Sequence, residues 1–143
     1  MSFQKMARGA KGSYILLIKL PEEQKIATGR LKTVRFPPGF YAYVGSAMGG
    51  LEARINRHLR VDKKPHWHID YLLQKASIYD ILVIESQDRT ECSIAKALST
   101  VFDSITGFGS TDCRCRSHLF FAAREMKPKV MAVLDSLGER LKT

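Results

Sequence analysis

The sequence predicts an α+β fold in which a small, mainly antiparallel central sheet is flanked by helices. Three observations lead to this class. Strand-like apolar runs cluster early in the chain, helix-like stripes follow and mix with later strands, and no linker or repeat divides the 143 residues. An apolar share of 45% is enough for a buried core. We therefore expect a flexible basic tail over residues 1–11 and a single domain over residues 12–143.

The early strands are predicted as follows. Residues 12–20 form a nearly continuous apolar run, which is typical of a central strand covered on both faces. Two short strands of a meander are expected over 25–31 and 33–36. The turn residues Pro37-Pro38-Gly39 end this meander, and a second central strand is expected over 39–45.

The most informative stretch is the junction between this strand and the helix that follows it over 51–60. Alternation along the strand places Tyr41 and Tyr43 on one face. A glycine-rich turn, with Gly45 at its start, should break the strand and let the backbone approach another group closely. The helix carries Arg54 and His58 at the edge of its apolar stripe. The stripe consists of Leu51, Ile55 and Leu59. A junction of this kind suits an anionic ligand such as a phosphodiester.

The second half of the chain alternates helices with strands. Pro65 is expected in the first turn of a helix that runs to Leu73. A strand is predicted over 78–85 and a last strand over 117–123, with Pro128 opening a C-terminal helix. The stripes of the two later helices are Ile94, Ala95, Leu98 and Val101 in the first, and Val130, Val133, Leu134 and Leu137 in the second.

The net charge of +9 favours a polyanionic partner. Nucleic acid is favoured over an acidic membrane because several arginines share one helix and no long basic amphipathic helix with aromatic anchors is found. A basic protein without such a partner is also compatible with this composition. The chain has no apolar run of membrane-spanning length and no signal-peptide pattern, and its three cysteines suggest a reducing compartment. We expect a cytoplasmic protein.

Several motifs resemble those of the GIY-YIG nuclease superfamily. Gly12-Ser13-Tyr14 and Tyr43-Val44-Gly45 resemble its two signature tripeptides, Arg54 stands at the position of its helix arginine, and Glu91 at that of its metal-holding glutamate. The similarity extends from Gly12 to Ala123 and is greatest to the Uri branch, which includes the domain of unknown function numbered 123. The segments that carry it are 36–47, 49–51, 57–59, 66–72, 91–92 and 107–113. One departure is a longer insert between the tripeptides, and its strands are expected to lie between them.

The resemblance implies hydrolysis of DNA by direct attack of water, with one Mg²⁺ or Mn²⁺ ion held by Glu91. Tyr14 would serve as general base or position the water, and a nearby cation would have to lower its pKa. Tyr43 would hydrogen-bond the phosphate or the water, Arg54 would clamp the scissile phosphate, and His58 would protonate a leaving group or bind phosphate. The residues expected to bind substrate are Gly45, Ser46, Arg57, Arg60, Lys63 and Lys64. The DNA could be branched or damaged.

Each of these residues also has a purely structural interpretation. Tyr14 and Tyr43 could pack in the sheet, Arg54 could be solvated, and His58 could be structural. Glu91 could close a capping box that begins at Asp88, as the third residue of its helix. The alternative function is a non-catalytic nucleic-acid-binding module with the same fold.

A zinc site is a further alternative, and zinc is not expected from the spacing. Cys113 and Cys115 with His118, joined by Cys92, supply suitable ligand types, but C-x-C is not the common knuckle spacing and no second pair exists. Such a site would belong to a zinc-stabilised interaction domain. We interpret Cys113 and Cys115 as loop thiols.

The segment 66–72 invites a metal interpretation as well. His66 and His68 diverge on a helix and cannot chelate together. His66 and Asp70 share a face and could form a hydrogen-bonded pair, with Trp67 and Tyr71 in the core.

Overall fold

The computed structural model confirms the α+β class, with a five-stranded antiparallel sheet flanked by four helices. It describes residues 9–27, 33–61, 64–65, 67–105, 108, 115 and 117–138. The strands are β1 (Gly12–Leu20), β2 (Gln24–Ala27), β3 (Thr33–Phe36), β4 (Gly39–Ala47), β5 (Ser77–Glu85), β6 (Asp103–Ser104) and β7 (Leu119–Ala122). The helices are α1 (Leu51–Leu59), α2 (His68–Leu73), α3 (Glu91–Leu98) and α4 (Lys127–Ser136).

The main sheet has the strand order β5-β1-β4-β7-β6, so β1 and β4 are interior strands. Their register places Tyr14 opposite Gly45 and Leu16 opposite Tyr43. The insert β2–β3 forms a separate two-stranded sheet. The expectation that the insert strands lie between the two tripeptides in the structure is therefore wrong. β1 pairs directly with β4 because the insert leaves the sheet and packs its own apolar side chains, including Phe36, against one face.

The sheet is covered on both faces because its interior strands are apolar on both sides. Tyr14, Tyr41 and Tyr43 belong to the core beneath α1, α2 and the β2–β3 hairpin. Ala42 and Val44 belong to the opposite core, beneath α3 and α4. The predicted alternation along β4 is thus confirmed, and it places the tyrosines of β1 and β4 on the same side as α1.

Several predicted boundaries are wrong. β4 continues through Gly45 to Ala47, so this glycine does not break the strand. Helix α2 starts at His68 rather than near Pro65, because the Asp70 carboxylate accepts the Trp67 N–H (2.9 Å) and defines the first turn there. Val101 and Leu137 lie beyond their helices and are exposed. The last strand is shorter than expected, and β6, which the sequence pattern did not indicate, pairs with it.

The expected tail over residues 1–11 lies mostly outside the described residues. Its last two residues are bound to the fold, since the Ala10 carbonyl accepts the N–H of Leu51 and the Lys11 carbonyl accepts the N–H of Ser86. Among the described residues, no helix has the length and apolarity required to cross a membrane.

Candidate active site

The candidate residues converge at one end of the main sheet. Antiparallel pairing brings together the start of β1, the end of β4 and the end of β5, since Gly12 pairs with both Ala47 and Glu85. Two contacts bring the later segments to this end. The Val44 N–H donates to the His118 carbonyl at 2.9 Å, and the hydroxyls of Ser13 and Thr90 are hydrogen-bonded at 2.7 Å. The residue after Thr90 is Glu91, so the sheet end receives the start of α3 as well.

Tyr14 and His58 form the core of this group. The Tyr14 hydroxyl lies 2.6 Å from Nε2 of His58, and both residues are almost completely buried. The Tyr14 ring lies over Gly45, where an added Cβ would be 2.3 Å from the ring carbon Cζ. The close approach that the sequence indicated at Gly45 is therefore to Tyr14, and this buried glycine makes room for the tyrosine.

Tyr43 lies beside the same histidine. Its ring contacts that of His58, with centroids 6.1 Å apart, and that of Phe108, with centroids 6.3 Å apart. The charge of Glu91 reaches both Tyr14 and Tyr43, and so does that of Arg54. These four residues and His58 therefore share one electrostatic environment.

Arg54 is oriented by three neighbours. Its guanidinium donates to the carbonyl of Ser46 at 3.0 Å and stacks on the ring of Trp67 at 4.5 Å from the centroid. It also interacts with the Tyr14 hydroxyl. The side chain is half-buried and turned toward the sheet, as its position beside the apolar stripe of α1 predicted.

Arg57 is engaged within the fold and is not a solvated side chain. It donates two hydrogen bonds of 3.0 Å to the carboxylate oxygens of Asp70, and its guanidinium lies 4.1 Å from the centroid of Trp67. Asp70 is 1% exposed, so the arginine compensates a buried charge. The proposed partner of Asp70, His66, lies outside the described residues.

Sequence reasoning assigned no role to Trp67 beyond the core, yet this ring supports both arginines. It lies half-buried beneath Arg54 and Arg57, and its centroid is 5.7 Å from that of His58. The sequence did not indicate this role of Trp67, because the burial of Asp70 and its pairing with Arg57 are seen only in the folded chain.

Glu91 is the first residue of α3, so the alternative in which it closes a capping box from Asp88 is wrong. The N-cap is Thr90, whose hydroxyl is hydrogen-bonded to Ser13 instead of capping the helix. The Glu91 side chain is 23% exposed, and its Oε2 lies 3.7 Å from Nδ1 of His118. Burial lowers the pKa of His118, which favours its neutral form beside this carboxylate.

The tyrosines are held in their neutral forms. Burial raises the pKa of Tyr14 well above its usual value, and the nearby Arg54 offsets only part of this effect. Burial likewise raises the pKa of Tyr43. For Tyr14 to act as a base, a neighbouring cation was expected to lower its pKa. Arg54 does not bring the pKa of Tyr14 below its usual value. A buried tyrosine of this kind can act as a base only if it passes its own proton to a partner, and His58 is within hydrogen-bonding distance.

The residues present fit a single divalent cation of the magnesium type. Such ions take oxygen ligands and are commonly held by one or two carboxylates with several waters. Glu91 supplies a partly exposed carboxylate whose charge acts on both tyrosines, whereas Asp70 is buried and paired with Arg57. The Ser46 hydroxyl is also buried here, and it has no hydrogen-bond partner in the part of the chain that the structure describes.

The remaining expected substrate contacts fall into two groups. Arg60 and Lys64 are exposed, Arg60 directly after α1. Lys63 lies outside the described residues, and so does Cys113, one of the two expected loop thiols. A groove with a volume of about 470 Å³ is lined in part by His58 and Arg60. It lies between the end of α1, helix α2 and the start of β5.

Comparison with known proteins gives one match. No curated protein and no solved structure resembles the chain significantly. The family model described as "Domain of unknown function DUF123" matches residues 13–139, which include every element of the site. The chain therefore belongs to the DUF123 family.

Proposed function

We propose that this protein is a metal-dependent endonuclease of the GIY-YIG type that hydrolyses DNA phosphodiester bonds by direct attack of water. One observation carries the proposal. Five residues from four separate elements meet at one end of the sheet. Tyr14 is hydrogen-bonded to His58, Tyr43 packs against the same ring, and the charges of Arg54 and Glu91 act on both tyrosines. A purely structural role would not require a carboxylate, a histidine and an arginine to be grouped with two tyrosines.

Tyr14 and His58 act together as the proton acceptor. Water donates a proton to the Tyr14 oxygen as its own oxygen bonds to phosphorus, and the Tyr14 hydroxyl passes its proton to Nε2 of His58 at 2.6 Å. The bond between phosphorus and the leaving oxygen breaks, and that oxygen takes a proton from bulk water. The raised pKa of Tyr14 fits this relay, because the tyrosine never has to persist as a phenolate. Tyr43 hydrogen-bonds the water or a phosphate oxygen from the adjacent strand.

Arg54 binds the scissile phosphate. Its guanidinium is fixed by the Ser46 carbonyl and the Trp67 ring, so positive charge is positioned before substrate arrives. A divalent cation held by Glu91 would supply further positive charge to the developing phosphorane and the leaving oxygen. Arg60 and Lys64 extend the basic surface along the DNA backbone.

The test is cleavage of supercoiled plasmid with Mg²⁺ or Mn²⁺. We expect the unmodified protein to nick the plasmid and Glu91→Gln to lose at least about 100-fold in rate, as expected for removal of a catalytic metal ligand or base. Glu52→Gln is the matched control, because Glu52 is an exposed glutamate in the first turn of α1 and lies outside the site. Its rate should stay within twofold of the unmodified protein.

Two outcomes would contradict the proposal. Equal cleavage by Glu91→Gln would remove the glutamate from the site. Tight, salt-sensitive DNA binding without cleavage under either metal would instead identify a non-catalytic binding module.

A further inference from the structure

Three metal-binding side chains meet at the edge of the site, and the proposed nuclease chemistry uses none of them. They are Cys92 from α3, Cys115, and His118 just before β7. Their ligand atoms all lie within 4.8 Å of one another, and Sγ of Cys92 is 4.0 Å from Nε2 of His118. Twenty-three or more residues separate Cys92 from the other two along the chain, so only the fold brings the three together.

The geometry is close to that of a tetrahedral zinc site. Zinc–sulfur bonds of about 2.3 Å and zinc–nitrogen bonds of about 2.0 Å place neighbouring ligand atoms roughly 3.5–3.8 Å apart. Each pair of ligand atoms therefore needs to approach by no more than about 1.3 Å. Two thiolates and an imidazole are ligands that select zinc over the hard ions magnesium and calcium.

The position of His118 is already fixed by its backbone. Its N–H donates to the Phe108 carbonyl at 2.8 Å, and its carbonyl accepts the Val44 N–H at 2.9 Å. The imidazole is almost completely buried, whereas Cys92 is exposed, so an ion could enter from the Cys92 side. Spacing along the chain argued against zinc because C-x-C is not the common knuckle spacing, although Cys92 and His118 were possible ligands. The third ligand comes from α3.

We propose that Cys92, Cys115 and His118 bind one zinc ion, with water in the fourth position. The two nitrogens of His118 would then have different partners. Nε2 faces Cys92, whereas Nδ1 lies 3.7 Å from Oε2 of Glu91. A carboxylate on the far side of a metal-bound histidine is a common arrangement that orients the ring.

The ion would link two segments of the fold. It would join the first turn of α3 to the segment before β7, which the approach of Glu91 to His118 already brings together. Because Glu91 precedes Cys92, the ion would also fix the position of that carboxylate. The zinc site does not depend on nuclease activity, and binding can be measured on protein that is catalytically inactive.

The experiment measures zinc in the full chain purified without chelators or a histidine tag. We expect one zinc per chain by elemental mass spectrometry, and less than a tenth of that in Cys92→Ser and Cys115→Ser. Replacement with Co²⁺ should give thiolate-to-cobalt charge-transfer absorption and strong d–d bands of tetrahedral cobalt, both lost in these variants. The matched control is Ser93→Ala, since Ser93 is exposed and adjacent to Cys92 on α3.

His118 is tested separately because it is buried and its replacement could disturb the fold. His118→Gln should lose zinc, whereas His68→Gln, a half-buried histidine packed on Phe108, should retain it. Circular dichroism of the exposed-site variant Cys92→Ser shows whether loss of zinc reflects lost ligation or an unfolded chain.

Two results would overturn the proposal. One is unmodified protein, reduced and supplied with Zn²⁺ or Co²⁺, that binds neither. The other is folded Cys92→Ser and Cys115→Ser protein that keeps a full equivalent of zinc. Glu91→Gln should retain the zinc even if it cannot cleave DNA, so failure of the zinc site and failure of the nuclease proposal are distinguishable.

Discussion

Gly45 shows how a single residue determines the geometry of the candidate site. Tyr14 occupies the space that a side chain at residue 45 would fill, and an added Cβ would lie 2.3 Å from Cζ and 2.4 Å from the hydroxyl oxygen. The Tyr14 ring cannot move aside without leaving His58, to which its hydroxyl is hydrogen-bonded. The glycine thus permits the Tyr14–His58 pair.

We predict that Gly45→Ala destabilises the protein by about 1–3 kcal/mol, the usual cost of overpacking a core. It should also reduce DNA cleavage, because Tyr14 is displaced. The matched control is Gly49→Ala, since a Cβ there meets nothing within 4 Å and the backbone is not in the left-handed region. Urea unfolding measures both free energies of unfolding. Equal midpoints for the two variants would contradict this role of Gly45.

Sequence reasoning could identify the residues of this pair but not their contact. The glycine-rich turn after the strand that carries Tyr43 indicated a close approach of the backbone to another group. The resemblance to the family motifs identified Tyr14, Tyr43 and Arg54. That Tyr14 faces Gly45 follows from the register of β1 on β4, which depends on tertiary packing. The sequence could not show that the pKa of Tyr14 is raised, because this depends on burial in the folded chain. There, the effect of burial outweighs that of Arg54.

At the scale of elements, the contact between α1 and α2 holds the cationic side of the site. Arg57 of α1 binds Asp70 of α2 through two hydrogen bonds, and Trp67 packs beneath Arg57 and Arg54. Asp70 also accepts the Trp67 N–H and so stabilises the start of α2. The two helices therefore orient Arg54 through Trp67.

We predict that Arg57→Met lowers the free energy of unfolding by about 3 kcal/mol, because it leaves the buried Asp70 carboxylate without its guanidinium. The control Arg60→Met, at an exposed position, should change it by less than about 0.5 kcal/mol. The double variant Arg57→Met with Asp70→Asn should lose less than the sum of the two single variants. Additive losses in urea unfolding would show that the pair is not coupled.

The elements themselves were largely predictable, and their arrangement was not. Apolar periodicity identified the strands β1 and β4 and the helices α1, α3 and α4. It could not show that β2 and β3 form a separate sheet, because a short strand pattern is the same in any sheet. The two-residue strand β6 is too short to carry a pattern, and α2 begins where Asp70 caps it rather than at a proline.

At the scale of the whole molecule, the site is assembled from segments distant in sequence. β1, β4, α1 and α3 each contribute one or two residues, and the segment before β7 adds His118. Composition indicated a polyanionic partner through the charge of +9, but charge does not show where the partner binds. The zinc ligands illustrate the same limit, since the spacing of Cys113 and Cys115 did not indicate that Cys92 lies beside His118.

The central claim is that Glu91 holds a divalent cation within reach of Tyr14, Tyr43 and Arg54. The measurement that tests it most directly is a crystal structure of the protein with Mn²⁺, located by its anomalous scattering. We predict a manganese ion bonded to the Glu91 carboxylate at the sheet end, next to the two tyrosines and the arginine. Manganese bound only at a site remote from Glu91, in protein that cleaves DNA with Mn²⁺, would contradict the account.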